Sequence, residues 1–233
     1  MFQKAPLLKW PDRQCLAAFL TYGFLLGVLW VLVYGGASWL TGLHDYRLRL
    51  GFAAEAAIPF VPAAAVIYLS LFPMIWLSLF ILPTAEQIKQ FAKALAWLYI
   101  ISGIGFVFLP GAQPNPPPPI DGWTRPVFEF ADWINLDYNL CPSLHVGMAV
   151  LCAYAYTRRS HLLASTAFWL WAAAISASTL LLRQHYLIDV AAGAALGYVV
   201  AKHVIHPSCR SFSPSETVPS TNPDAVAAPA PRQ

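Results

Sequence analysis

The chain has 233 residues, 58% of them hydrophobic and only 11% charged, where an ordinary soluble domain carries roughly a quarter charged residues. That balance excludes a soluble globule of this size and fits a protein whose apolar surface faces lipid. A formal net charge of +3 without a basic patch excludes a nucleic-acid partner.

Membrane helices need about 20 mainly apolar residues, and uncharged stretches at 14–43, 56–85, 94–120, 138–157 and 160–182 meet or approach that length. With a last segment interrupted only by Asp189 and Lys202, they predict six spans near 15–41, 61–83, 91–110, 143–157, 161–182 and 185–205. The first is too long for a removed signal peptide and lacks a cleavage-site pattern, so it is expected to stay as an anchor. Residues 43–60 mix charge with apolar residues, which predicts an interfacial segment where Arg47, Arg49 and Glu55 meet the surface or lipid head groups. Residues 111–141 form the longest loop, and Phe128, Phe130, Trp133 and Tyr138 predict that it is partly ordered, in helical form. Residues 207–233 are rich in Pro, Ser and Ala and read as a disordered tail after a single membrane domain at 1–206. The expected fold is therefore an all-α integral membrane protein, a six-helix bundle. The scattered Cys15, Cys141, Cys152 and Cys209 form no Cys-x-x-Cys pair and read as packing residues.

Orientation follows from the cations. With a cytoplasmic N-terminus, Lys4, Lys9, Arg13, Lys89, Lys93, Arg158, Arg159, Lys202, Arg210 and Arg232 all lie inside. Only Arg47, Arg49, Arg125 and Arg183 lie outside, as the positive-inside rule demands. Both termini are then cytoplasmic.

Ionisable residues within spans are costly and default to function. Two segments stand out: Cys141-Pro142-Ser143-Leu144-His145 opening the fourth span, and His185-Tyr186-Leu187-Ile188-Asp189 opening the sixth. Proline and Ser143 suit a helix start, with Ser143 as its cap. These two spans run in the same direction, so both histidines are expected at the outer end, where helix N-termini favour an anion. His185 and Asp189 are one helical turn apart, and the carboxylate can orient the imidazole, leaving its other nitrogen as a nucleophile. Gly193 and Gly197 continue that face as a narrow stripe for close helix packing. Two histidines and a carboxylate around an anion site suit phosphoryl transfer: His185 attacks phosphorus, Asp189 steadies it, and His145 moves the proton. His161, His203 and His206 read as interfacial residues.

These residues resemble the type 2 phosphatidic acid phosphatase superfamily, whose motifs read roughly Pro-Ser-Gly-His and Ser-Arg-x5-His-x3-Asp. Here they stand as Pro142-Ser143-Leu144-His145 and Ser178-Thr179-x5-His185-x3-Asp189. The resemblance implies a six-helix bundle, His185 as nucleophile, Asp189 as its partner, His145 as acid, and a lipid phosphate substrate handled without metal or cofactor. Leu144 replaces a glycine, Thr179 replaces a phosphate-binding arginine, and the first motif survives only as Arg125-Pro126. Phosphate binding is then expected from Arg125, Arg183 and Ser143. The wording Cys-Pro-Ser-Leu-His with Gln-His-Tyr-x-x-Asp looks more like the branch of inositol phosphorylceramide synthases, which implies transfer of a phosphorylated head group to an alcohol or lipid acceptor. Three other readings stay open: metal ligation by the same His–Asp set, a lipid transporter using it as a proton relay, and a non-catalytic lipid binder.

Overall fold

The computed structural model describes residues 7–113, 117–136 and 138–205; the tail expected at 207–233 lies outside the described residues. The architecture among the described residues is helical, with one isolated parallel bridge between Leu48 and Gly111.

The first long helix, α1 (Arg13–Gly42), starts where the Asp12 side chain accepts the Cys15 N–H at 2.8 Å. Its course includes a π-helical turn at Val31–Gly35. Near that widened turn the Tyr34 carbonyl accepts the Asn139 side-chain amide at 2.7 Å. The second, α2 (Ala64–Ile81), breaks at Ser70 and Leu77. Pro73 lies between the breaks and has no N–H to offer the preceding turn. The third, α3 (Ala85–Phe108), begins earlier than expected because Thr84 caps it, accepting the Gln87 N–H at 3.3 Å.

The long loop at 111–141 carries a helix, α4 (Thr124–Ile134). It is followed by α5 (Leu144–Thr157), α6 (Leu162–Leu181) and α7 (Leu187–Val204). Five of these helices, α1, α2, α3, α6 and α7, are long and apolar enough to cross a membrane. The expected fourth span is the shorter α5, whose 14 residues reach only about 21 Å at 1.5 Å per residue, against a hydrocarbon core of about 30 Å. The physical reason is its surroundings. Twelve of its residues are buried, so its neighbours are protein rather than lipid.

Leu71 and Met74 of α2, Leu95 and Leu98 of α3, Leu151 and Cys152 of α5 and Ile175 of α6 build the core around this helix. By contrast α1 turns Leu20, Phe24 and Leu32 outward, as a lipid-facing helix does. The expected glycine stripe is the contact of α7 with α5: a Cβ at Gly193 would collide with the Ser143 backbone, and one at Gly197 with the Gly147 carbonyl. Gly197→Ala is therefore expected to force the two helices apart, at about 1–3 kcal/mol for overpacking. A lowered melting temperature of the purified protein, with loss of turnover, is the check.

Segment 43–60 lies across the end of the bundle. The Leu48 N–H donates to the Pro110 carbonyl at 2.7 Å, and the Leu48 carbonyl accepts the Ala112 N–H at 2.9 Å. A short 3-10 helix at Ala53–Ala57 follows, and the Val61 N–H reaches the Leu181 carbonyl at 2.9 Å. This strap brings Arg49 and Glu55 beside the start of α7.

Candidate active site

The starts of α5 and α7 are joined directly. The Ser143 N–H donates to the Asp189 carbonyl at 2.9 Å, and Gly193 seats against the Ser143 backbone. His145, His185 and Asp189 are all buried there, Asp189 completely. The co-location expected from span direction is thus the observed arrangement.

Helix α7 starts after His185, with Tyr186 as its N-cap. Asp189 sits in the first turn, and its Oδ2 reaches back to accept the Tyr186 N–H at 2.8 Å. That contact holds the carboxylate 3.7 Å from His185 Nδ1, beyond hydrogen-bonding range. Instead of the hydrogen bond that the spacing predicts, the pair is a close approach. Asp189 Oδ1 and His185 Nδ1 are enclosed without a partner. With Nδ1 toward Asp189, Nε2 is the ring atom left for chemistry.

His145 is held from α2. Its Nδ1 lies 3.1 Å from the Tyr68 hydroxyl, and the two rings stack at 4.2 Å. Its Nε2 is enclosed and unpartnered. Ser143 is the N-cap of α5 but its side chain makes no cap hydrogen bond, contrary to expectation; Oγ is buried without a partner. Cys141 stands beside Asp189, and burial first, then the Asp189 charge, pushes its thiol up to about 12. It stays a neutral thiol, not a nucleophile.

A cavity of about 220 Å³ opens beside His185, lined among others by Arg49, Glu55, Leu180, Arg183 and Tyr186. Arg183 reaches it because α6 ends in a Schellman turn: the Gln184 N–H bonds the Thr179 carbonyl and the Arg183 N–H the Leu180 carbonyl, both at 3.0 Å. Arg183 takes the left-handed position there, φ 55°, where glycine is the usual residue. Its guanidinium lies 5.8 Å from the centre of the Phe60 ring. Arg125 goes elsewhere. On α4 it pairs with Glu129 at 2.7 Å with both side chains more than half exposed, and it does not line the cavity. The spacing of Arg125 and Glu129, one helical turn, carried that signal in the sequence.

Sequence reasoning missed four contributors. Arg49 and Glu55 arrive on the strap, where Glu55 accepts the Leu187 N–H at 2.9 Å through Oε2 and the Phe52 N–H at 2.8 Å through Oε1. Tyr68 arrives from α2. Gln184, next to His185, donates to Asp132 at 2.8 Å and accepts from Asn135, which in turn accepts the Tyr34 hydroxyl at 2.9 Å. That chain ties α1 and α4 to the residue before the candidate nucleophile. Among the described residues no group of three or more His, Cys, Asp or Glu side chains gathers to hold a metal.

A family model described as the PAP2 superfamily matches residues 39–202, most of the chain. The chain belongs to the PAP2 superfamily. PAP2 membership makes it a phosphatase-type enzyme of lipid phosphoesters, and the matched region contains the strap, both histidines, Asp189 and both cavity arginines. No curated protein and no solved structure matches the chain. Thr179, where the resemblance expects an arginine, is completely buried in α6, its hydroxyl donating to the Ser176 carbonyl at 2.8 Å.

Proposed function

We propose that this chain is a membrane-embedded lipid phosphatase or phosphotransferase that works through a phosphohistidine on His185. The observation that carries the reading is a buried His–Asp pair whose imidazole opens onto a cavity flanked by Arg49 and Arg183. The two arginines hold the phosphate oxygens, as guanidinium groups suit that geometry. Arg183 lies one helical turn beyond Thr179, so it supplies from the end of α6 the charge that the motif arginine would bring. Arg49 supplies from the strap what the reduced first motif lacks, and Ser143 Oγ offers a further donor. His185 Nε2 attacks phosphorus while Asp189 stabilises the positive imidazole through Nδ1–H. His145 protonates the leaving oxygen, then deprotonates the incoming hydroxyl.

Water and an alcohol compete for the same phosphohistidine. The Cys-Pro-Ser-Leu-His wording favours an alcohol acceptor and transfer of a phosphorylated head group such as phosphoinositol. The cation asymmetry supports a site at the outer leaflet with both termini cytoplasmic. The test offers purified protein phosphatidic acid and phosphatidylinositol, each with and without ceramide or a free polyol. A transferase releases diacylglycerol and forms a new phosphorylated lipid on ceramide, or a phosphorylated polyol, only when that acceptor is added; a phosphatase releases diacylglycerol and inorganic phosphate from phosphatidic acid at the same rate with or without it. Neither product from any pair would contradict the proposal.

A further inference from the structure

We infer that Tyr68 is the positioning residue of His145, holding Nδ1 so that only Nε2 exchanges protons with the substrate. The assignment rests on the phosphoryl-transfer reading above and adds a residue from α2 to it.

Both groups are buried, Tyr68 at 1% exposure and His145 at 6%. The phenol oxygen lies 3.1 Å from Nδ1, and no other hydrogen bond of that hydroxyl occurs among the described residues. Nε2 is enclosed with no protein partner. A buried, unpartnered ring nitrogen is costly unless something binds it at a later stage. A phenol suits this position better than a carboxylate would. Its hydroxyl donates to a bare Nδ1 and accepts from Nδ1–H, so it follows the imidazole through both protonation states without adding a second buried charge beside Asp189. The stacked rings, 4.2 Å apart and inclined by 25°, also place the phenol face under the imidazolium, a favourable contact for a cation.

The proton balance is simple. Protonated His145 gives its Nε2 proton to the leaving oxygen as the P–O bond breaks and its electron pair passes to that oxygen. The neutral ring keeps Nδ1–H, donated to the Tyr68 oxygen, which leaves a lone pair on Nε2. In the second step Nε2 takes the proton of the incoming hydroxyl as its oxygen bonds to phosphorus. The P–N bond then breaks and its pair returns to His185 Nε2.

Tyr68→Phe keeps the stacking and removes only the hydroxyl. On an alkyl phosphate such as phosphatidic acid, turnover is expected to fall about 10²-fold, the lower end of general acid–base contributions. On p-nitrophenyl phosphate, whose leaving group needs no proton, phosphohistidine formation in a single-turnover burst is expected to stay within about threefold, on the same reasoning. In a His145→Ala background Tyr68→Phe adds no further loss, since residues acting through one another are not additive. Equal losses on both substrates, or an added loss in that background, would overturn the inference. A readout that needs no turnover separates it from the parent reading. In nitrogen-15 histidine spectra of the full chain, Tyr68→Phe moves His145 Nδ1 and leaves His185 in place. An unmoved His145 resonance overturns the assignment even if the wild-type chain turns over none of these phosphates, a failure that would count against the functional proposal instead.

Discussion

His185→Ala is expected to bring turnover of lipid phosphate down to background, a loss of about 10⁴-fold or more if His185 is the nucleophile. The loss arises in the chemical step, since Arg49 and Arg183 still hold the phosphate, so substrate binding survives. Asp189→Asn makes a sharper companion. The amide oxygen still accepts the Tyr186 N–H that Oδ2 accepts at 2.8 Å, so the first turn of α7 keeps its cap. What disappears is the negative charge 3.7 Å from His185 Nδ1. Turnover should fall by about 10²–10⁴ with little change in melting temperature. A variant that unfolds instead would show Asp189 to be a structural cap first. Stopped assays with radiolabelled phosphatidic acid, run beside thermal melts, separate the two.

Arg183→Gly is expected to move stability and activity in opposite directions. Arg183 occupies the left-handed position of the α6 terminus, which costs a non-glycine residue about 1–2 kcal/mol. Glycine relieves that cost and keeps the Schellman hydrogen bonds, so the melting temperature should rise. The same change removes one guanidinium from the cavity beside His185. Losing a charge-assisted hydrogen bond of about 1.5–3 kcal/mol corresponds to roughly a 10- to 150-fold drop in kcat/KM. Arg49→Ala should cost similar activity without the stability gain, because Arg49 comes from an exposed strap. Arg125→Ala should change neither by much, its guanidinium being committed to Glu129 at the surface. Activity lost at Arg125 but kept at Arg49 would redraw the phosphate site.

What was legible in the sequence follows from which interactions are local. Hydropathy marks spans because lipid tolerates few charges, and helix direction then placed His145 and His185 at one end of the bundle. The Gly193–Gly197 stripe was visible for the same reason: helical periodicity alone sets which residues share a face. Other features depended on partners far away in the chain. The shortness of α5 follows from the protein wrapped around it, which no single-segment reading reveals. The 3.7 Å gap between His185 and Asp189 arises because the N-terminal amides of α7 compete for the same carboxylate. Arg49 and Glu55 looked like head-group contacts since a strap mixing charged and apolar residues has no periodicity to read. Its path is set by the Leu48 bridge to Gly111 and by the Glu55 bond to Leu187. Tyr68 was hidden in another way, as one aromatic among many in an apolar span.

The proposed catalysis turns on a covalent bond between phosphorus and His185. Purified protein mixed for milliseconds with radiolabelled lipid phosphate, then quenched in alkali, should retain label on a peptide containing His185. The label should be acid-labile, absent from His185→Ala, and longer-lived in His145→Ala, where the second step lacks its base. Product formation with no label on that peptide, or a label that survives in His185→Ala, would contradict a phosphohistidine at His185.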